Sequence, residues 1–283
     1  FPGASAFVVK PFTLYPTSTS HPGSSATWNG FVSAGTNFRV KVEARNSQGA
    51  LTPNFGNEGE TISLENLTLV YPSSGGTATT LSLGSGFTAT TPVGTFVDNT
   101  VSWKQVGSFT VQARLADNNY LGAGNLESIT TSPTIGRIYP DHFRLVNPVL
   151  ANKCGSFTYM AQPMNLTYTL QAEATDGTPL SNYDGGYTTI MPTYVAENAD
   201  SGTDLGARFS AGVTPVWVDG VMSVASASAS FSRQTPLFAP DGPFSDLRIG
   251  LAMNDTLDSR KLQSMDMKAN TTGACGVGCD AKL

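Results

Sequence analysis

Two stretches of the chain alternate apolar and polar residues strictly: Phe38-Arg39-Val40-Lys41-Val42-Glu43-Ala44 and Leu166-Thr167-Tyr168-Thr169-Leu170-Gln171-Ala172. Successive side chains of a β-strand point to opposite faces, so each stretch predicts a strand with one buried face. The segments after these two strands also repeat. Arg45–Gly49 leads into Ala50-Leu51-Thr52-Pro53-Asn54-Phe55, and Glu173–Gly177 leads into Thr178-Pro179-Leu180-Ser181-Asn182-Tyr183. The offset is a constant 128 positions without a gap, aligning Ala44 with Ala172, Gly49 with Gly177, Asn54 with Asn182 and Phe55 with Tyr183. Gly49 and Gly177 can take φ > 0 where the chain reverses. The Asn–aromatic pair is expected to open the next strand, with its ring plugging the end of a sandwich.

The likeness extends outward. Pro11-Phe12-Thr13-Leu14 resembles Asp141-His142-Phe143-Arg144-Leu145, and Phe109–Ala113 with Asp117 resembles Leu247–Leu251 with Asp255. So long a period is not that of a solenoid and fits two whole domains. Further strands are expected at Thr61–Leu69, Thr79–Leu83, Gly94–Trp103, Gly107–Arg114, Thr188–Val195, Val213–Val218, Val221–Ser232, Leu247–Ala252 and Lys261–Ala269. They are short and separated by Gly, Pro, Asn and Ser, as in a sandwich or barrel. Val221–Ser232 alternates Val, Ala and Phe with Ser, which implies one wet face. Helical periodicity is almost absent; Asn198–Leu205 holds one turn at most. The boundary is placed at Thr134–Ile135, after the Ser/Thr/Pro stretch Ser128–Pro133, giving domains 1–134 and 135–283. The fold class is therefore all-β, two tandem immunoglobulin-like β-sandwich domains without the Cys…Trp…Cys spacing of antibody domains.

Composition narrows the function. Only 13% of the 283 residues are charged, about half the ~25% usual in soluble domains, and Ser, Thr, Gly and Asn supply the polar surface. That balance suits an extracellular β-protein. The net charge is -5 and the pI about 5.0, with the 16 basic residues scattered. Nucleic acid and anionic lipid both call for clustered cations, so neither is an expected partner. No apolar run is long enough for a membrane span. The opening Phe1-Pro2-Gly3-Ala4-Ser5-Ala6 lacks the basic and apolar regions of a signal peptide, so an exported chain would have its signal upstream or removed.

Three cysteines, Cys154, Cys275 and Cys279, with only two histidines outside any ligand cluster, favour a disulfide over a metal. The pair is Cys275–Cys279, or Cys154 with either, and one thiol is left over, available to join chains.

At Ile135-Gly136-Arg137-Ile138-Tyr139-Pro140-Asp141-His142-Phe143, followed by Cys154, Phe157-Thr158-Tyr159-Met160-Ala161-Gln162-Pro163 and Leu180-Ser181-Asn182-Tyr183, the chain resembles the MshQ-like proteins. These are large bacterial surface proteins associated with the mannose-sensitive haemagglutinin type IV pilus system. The match is densest over residues 135–185 and extends upstream through Pro11-Phe12 and Ala34–Phe38. Ile138 stands where an aromatic is usual, and the family typically runs on beyond Leu283. The resemblance implies an exported envelope protein with a pilus-linked or adhesive role and no known catalysis, and it carries over no site residues.

Candidate chemistry is sparse. His142 beside Asp141 invites a triad reading, but no G-x-S-x-G elbow accompanies it, and on a strand the Asp would face away. Glu58 with Glu60 and Asp255 with Asp258 are read as solvated loop acids rather than a glycosidase pair. Calcium takes many oxygens, and two loops offer some, with Asp200, Asp204, Asp255 and Asp258 as candidates, although neither has EF-hand spacing. No other cofactor is expected. Among aromatics able to stack on a sugar, Tyr183, Tyr194 and Trp217 rank below Tyr187, in Asp184-Gly185-Gly186-Tyr187, the best exposed candidate. The sequons at Asn66, Asn165, Asn254 and Asn270 are read as unmodified.

The chain is thus expected to be a non-enzymatic, extracellular structural module of a pilus-associated or filament-forming bacterial surface protein. Its expected partners are copies of itself or pilus and surface subunits. The alternative is an adhesin that recognises glycan or protein through loops at a sandwich end. An aromatic cluster in a concave loop-end patch favours the alternative; long apolar edges favour assembly.

Overall fold

The computed structural model describes residues 7–18, 30–184, 187, 189–198, 203–235 and 241–252. It is all-β and divides into two compact units, one running to Tyr139 and the other beginning at Pro140.

Unit 1 contains β1 (Thr13–Ser18), β2 (Val32–Ser33), β3 (Phe38–Arg45), β4 (Ile62–Tyr71), β5 (Thr88–Thr90), β6 (Thr95–Val101), β7 (Gly107–Leu115) and β8 (Ile135–Tyr139). One sheet has the order β1-β3-β6-β5 and the other β2-β8-β7-β4. In immunoglobulin letters these are A-B-E-D and G-F-C, with β2 added parallel to β8 at the outer edge. The alternation of β3 is realised: Phe38, Val40, Val42 and Ala44 are buried while Lys41, Glu43 and Arg45 lie together on the outer face. Phe38 meets Phe109 of the opposite sheet at 6.4 Å between ring centroids.

Unit 2 contains β9 (His142–Ala151), β10 (Met164–Glu173), β11 (Thr193–Asn198), β12 (Thr203–Asp204), β13 (Phe209–Ala211), β14 (Trp217–Val218), β15 (Val221–Phe231) and β16 (Leu247–Ala252). The order β13-β15-β10-β9 is again D-E-B-A, with β14 paired to β15, and β12-β11-β16 holds C and F. The hydroxyls of Tyr168 and Tyr194 meet across the sheets at 2.9 Å. The wet face of β15 is present, with Ser223, Ser226 and Ser228 exposed. A register shift opposite Leu166 and Tyr168 adds Ala225 to that face and breaks the alternation there.

Several expectations need correction. The domain border falls at Tyr139/Pro140, not Thr134/Ile135, because Ile135–Tyr139 is a strand of unit 1, paired with β7 and β2. Thr79–Leu83 contributes only a single bridge, Ser82 to Ser102. The third strand of unit 2 starts at Thr193, and Val213–Val218 shrinks to β14. The helical turn expected at Asn198–Leu205 lies later, as a 3-10 turn at Gly206–Arg208, since Thr203 and Asp204 pair with Asn198 and Glu197. Phe55 and Tyr183 lie in turns rather than opening strands. The expected strand Lys261–Ala269 lies outside the described residues.

The internal repeat is a repeat of hydrogen bonds. Ala44 N–H donates to Gly94 O at 2.9 Å, and Ala44 O accepts from Thr52 N–H at 2.9 Å. Ala172 N–H donates to Gly220 O at 2.9 Å, and Ala172 O accepts from Leu180 N–H at 3.0 Å. The reversals at Gly49 and Gly177 have φ of 83° and 82°. Phe55 and Tyr183 drop from these arches into the core and are buried. Phe55 packs on Phe96 and Tyr120, and Tyr183 on Phe143, Tyr187 and Trp217.

Gly94 (φ 87°) and Gly220 (φ 76°) press against these arches. A Cβ at Gly94 would stand 2.7 Å from Thr52 O, and one at Gly220 would stand 2.3 Å from Leu180 O. Gly49 has the same sign of φ but nothing within 4 Å of a Cβ. Gly94→Ala and Gly220→Ala are therefore expected to destabilise by about 2 kcal/mol or more, through backbone strain plus collision. Gly49→Ala should cost about 1 kcal/mol, from strain alone. Urea denaturation of the three variants checks the ranking; equal losses at Gly49 and Gly94 would contradict it.

Candidate functional site

Where β9 ends and β10 begins, unit 2 carries a cleft of about 560 Å³. Its floor is the end of the core: Leu150, Met164, Phe231 and Leu247. Its walls come from the loop joining β9 to β10 (residues 152–163) and from Asp241, Pro243, Phe244 and Ser245 ahead of β16.

The first wall is a tightly held turn. Cys154 and Phe157 pair through backbone hydrogen bonds of 3.0 and 3.5 Å, leaving Gly155 (φ 68°) and Ser156 at a two-residue tip. Thr158 Oγ1 accepts the Lys153 N–H at 3.0 Å and donates to Asn152 Oδ1 at 3.3 Å. Gln162 Oε1 accepts the Tyr159 N–H at 3.1 Å, and its carboxamide lies beside the Cys154 thiol at 3.4 and 3.5 Å. Ala161 N–H donates to Phe231 O at 2.6 Å, pinning the loop to β15. With its backbone so occupied, the loop sends Phe157 and Tyr159 outward, 50% and 63% exposed, their rings edge to face at 5.2 Å.

The second wall is braced by an ion pair. Arg208, in the 3-10 turn, donates to both oxygens of Asp241 at 2.9 and 2.6 Å and to Ser232 O at 2.9 and 2.7 Å. Its guanidinium lies 5.6 Å from the Phe244 ring centroid, within cation–π range. Gln234 N–H also donates to Asp241 Oδ2, at 3.0 Å. The Arg208 hydrogen bonds, then that of Gln234, hold the Asp241 carboxyl below the usual carboxylate range.

In unit 1 the counterpart of the loop between β15 and β16, the one between β6 and β7, puts a ring into the core. There the joining loop is residues 102–106, and Trp103 is 1% exposed, packed edge to face on Phe109 at 4.8 Å with its N–H on Thr79 O at 3.2 Å. Burying such a ring is worth roughly 1.5–3 kcal/mol or more. Unit 2 leaves Phe157 and Tyr159 in water and forgoes that gain. Single exposed apolar residues need no explanation; two adjacent exposed rings on the rim of a concavity make this end of unit 2 the candidate site.

The residues singled out in the sequence lie elsewhere. Tyr187 is 2% exposed and packs on Tyr183 at 5.5 Å, so it is a core ring and not a ligand aromatic. Its N–H donates to Asp184 O at 2.9 Å. Trp217 is buried, with its N–H on Ile190 O. Asp204 Oδ1 accepts the Gly206 N–H at 2.8 Å, supporting the 3-10 turn; Asp200, Asp255 and Asp258 lie outside the described residues. Among the described residues no three His, Cys, Asp or Glu side chains gather as a metal site. Cys154 is a half-buried free thiol, and Cys275 and Cys279 lie outside the described residues.

Asp141 does not face away from His142. It precedes β9, where strand alternation does not apply, and its Oδ2 lies 3.1 Å from Nδ1 of the ring. Nε2 meets Glu173 Oε2 at 3.0 Å, so both ring nitrogens face carboxylates. Arg144 donates to the same Glu173 at 2.6 Å. Glu58 contacts the Tyr120 hydroxyl and Glu60 accepts the Leu121 N–H at 3.1 Å, so these acids tie loops together. Burial, and then Glu58, push the Tyr120 hydroxyl upward.

Phe157 and Tyr159 were missed as ligand aromatics although they stand in the motif that carries the family resemblance. The available signal was two aromatics at alternate positions in a Gly/Ser-flanked loop, outside any strand.

Family models match the chain over residues 105–282 as DUF6701, third domain, and over residues 8–99 as DUF6701, second domain. The second-domain match ends at residue 99, inside β6, and the third-domain match begins at residue 105, just ahead of β7, so the border falls inside unit 1. No curated protein matches. Among solved structures, the Yersinia pseudotuberculosis adhesin InvE is similar at 13% identity and a TM-score of 0.34, over 87% of this chain and 56% of that one. The chain therefore spans little more than half of that structure's length. No helix among the described residues is long and apolar enough to cross a membrane.

The depressed Asp241 pKa predicts a pH effect. A carboxylate held below its unfolded value adds stability above that value and loses it as pH falls through the folded one. The wild-type chain should thus be more stable than Asp241→Asn at pH 6, and the gap should close towards pH 3. Urea denaturation at both pH values measures it; a constant gap contradicts the assignment.

Proposed function

The chain belongs to the DUF6701 family, and we propose that it acts there as a non-catalytic, extracellular binding module of a bacterial surface protein. In this reading two immunoglobulin-topology sandwiches form the frame, and unit 2 presents a recognition site at its loop end. The observation that carries the reading is the cleft rimmed by Phe157 and Tyr159. Binding energy at interfaces concentrates in a few aromatic anchors set in or beside pockets. Low charge density suits an extracellular setting, and the resemblance of residues 135–185 to MshQ-like proteins supports a place in a pilus-linked surface assembly. His142, with both ring nitrogens facing carboxylates, has no ring atom left to activate a nucleophile, which supports a non-enzymatic role.

A structural role in chain-to-chain assembly is favoured by one further observation. Phe7 and Val9, 85% and 76% exposed, form with Phe12 an apolar stretch before β1. Copies of the chain, or pilus and surface subunits, are the partners such a surface would take.

The binding reading is tested with fluorescently labelled chain on bacterial and eukaryotic cells, followed by flow cytometry. Saturable binding is expected, reduced roughly tenfold or more in Phe157→Ala/Tyr159→Ala. The thermal midpoint should be unchanged, because both rings are exposed. Equal binding by the double variant would rule out the cleft as the recognition site.

A further inference from the structure

We propose that the cleft takes a neutral pyranose sugar, as one or two residues of a glycan chain; this rests on the binding reading above and names its ligand class. A pyranose ring has an apolar face of C–H groups and a polar edge of hydroxyls. The cleft offers both complements. The aromatic face carries negative quadrupole density, to which C–H groups are attracted, and Phe157 and Tyr159 present exposed rings at the rim. Beside them the Tyr159 hydroxyl, the Ser156 hydroxyl and the Asn152 amide nitrogen make no hydrogen bond within the described residues. These are donors and acceptors of the kind a hydroxyl-bearing edge needs, and a site built to pair hydroxyls discriminates against ligands that lack them.

Charge selects against the competing classes. Among the described residues Asp241 is the only charged one lining the cleft, and Arg208 engages both of its oxygens. An anionic sugar finds no free cation among them, and a cationic peptide finds no free carboxylate. A purely apolar ligand would leave the hydroxyls and the amide desolvated without partners, which costs affinity. The volume of about 560 Å³ lies within the range of small-ligand pockets. The rim is also held in place before any ligand arrives. The Cys154–Phe157 turn, the Gln162 side chain and the bond from Ala161 to β15 fix the two rings through backbone hydrogen bonds, which reduces the ordering cost of binding.

The test uses the full chain with a panel of neutral hexose oligosaccharides of two to four residues, their sialylated and sulfated counterparts, and an aromatic-rich peptide, followed by titration calorimetry and by competition in the cell-binding assay. At least one neutral oligosaccharide is expected to bind, to displace the chain from cells, and to lose roughly tenfold or more in affinity with Tyr159→Ala or Phe157→Ala. Asn152→Ala should weaken the neutral sugar and leave the peptide unaffected. If the double variant loses cell binding while no neutral sugar binds or competes, the glycan assignment is overturned and the binding reading stands. If charged sugars or the peptide bind better than every neutral sugar, the assignment is likewise overturned. If neither cells nor sugars respond to the two ring substitutions, both readings fail.

Discussion

Each sandwich depends on one alanine whose peptide groups are committed on both sides. Ala44 and Ala172 stand near the ends of β3 and β10, inner strands of their sheets, joined through N–H to a glycine carbonyl and through C=O to an arch of chain that returns over the strand end. The arch sits so close that the glycine opposite has no room for a Cβ. This single contact sets three things at once: where the strand stops, how the chain turns back, and where the following aromatic enters the core. Phe55 and Tyr183 are buried because the arches aim them there. A buried peptide group without a partner is costly, so the arrangement tolerates little drift, and the two units repeat it bond for bond.

Sealing one end of a sandwich in this way leaves the other end free to differ. In unit 1 a short joining loop brings Trp103 over the core. In unit 2 residues 152–163 and 241–245 form walls, braced by Arg208 and Asp241 on one side and by backbone pairs on the other. The core then ends in Met164 and Phe231, buried at the base of the cleft beneath exposed rings. The arch thus fixes one end of each sandwich, and the recognition site we propose lies at the opposite end of unit 2. Loops on a rigid frame commonly carry function.

The alternating strands were legible in the sequence because one face of β3 and β10 is buried and the other wet, so the period of two is written in the side chains. The repeat was legible for the same reason, since its arch needs a particular order of small, turn-forming and aromatic residues. β8 was assigned to the wrong domain because all five of its residues are buried, which erases alternation. Its pairing to β2 and β7 joins segments far apart in sequence, which no local pattern reports. Two-residue strands such as β12 and β14 are set by their partners rather than by their own propensity. Tyr187 and Tyr159 both sit in polar loops, yet one is buried and the other exposed. The difference lies in which backbone groups tie each loop down, and that is a property of the fold.

Amide hydrogen exchange followed by NMR tests most directly whether a rigid, sealed end supports an open recognition end. The Ala44 and Ala172 amides are predicted to exchange only through global unfolding of their units, at the slowest rates in the chain. The rim amides of Ser156 and Thr158 are predicted to exchange through local opening, orders of magnitude faster. Arch amides that exchange as fast as the rim would contradict that division of the sandwich.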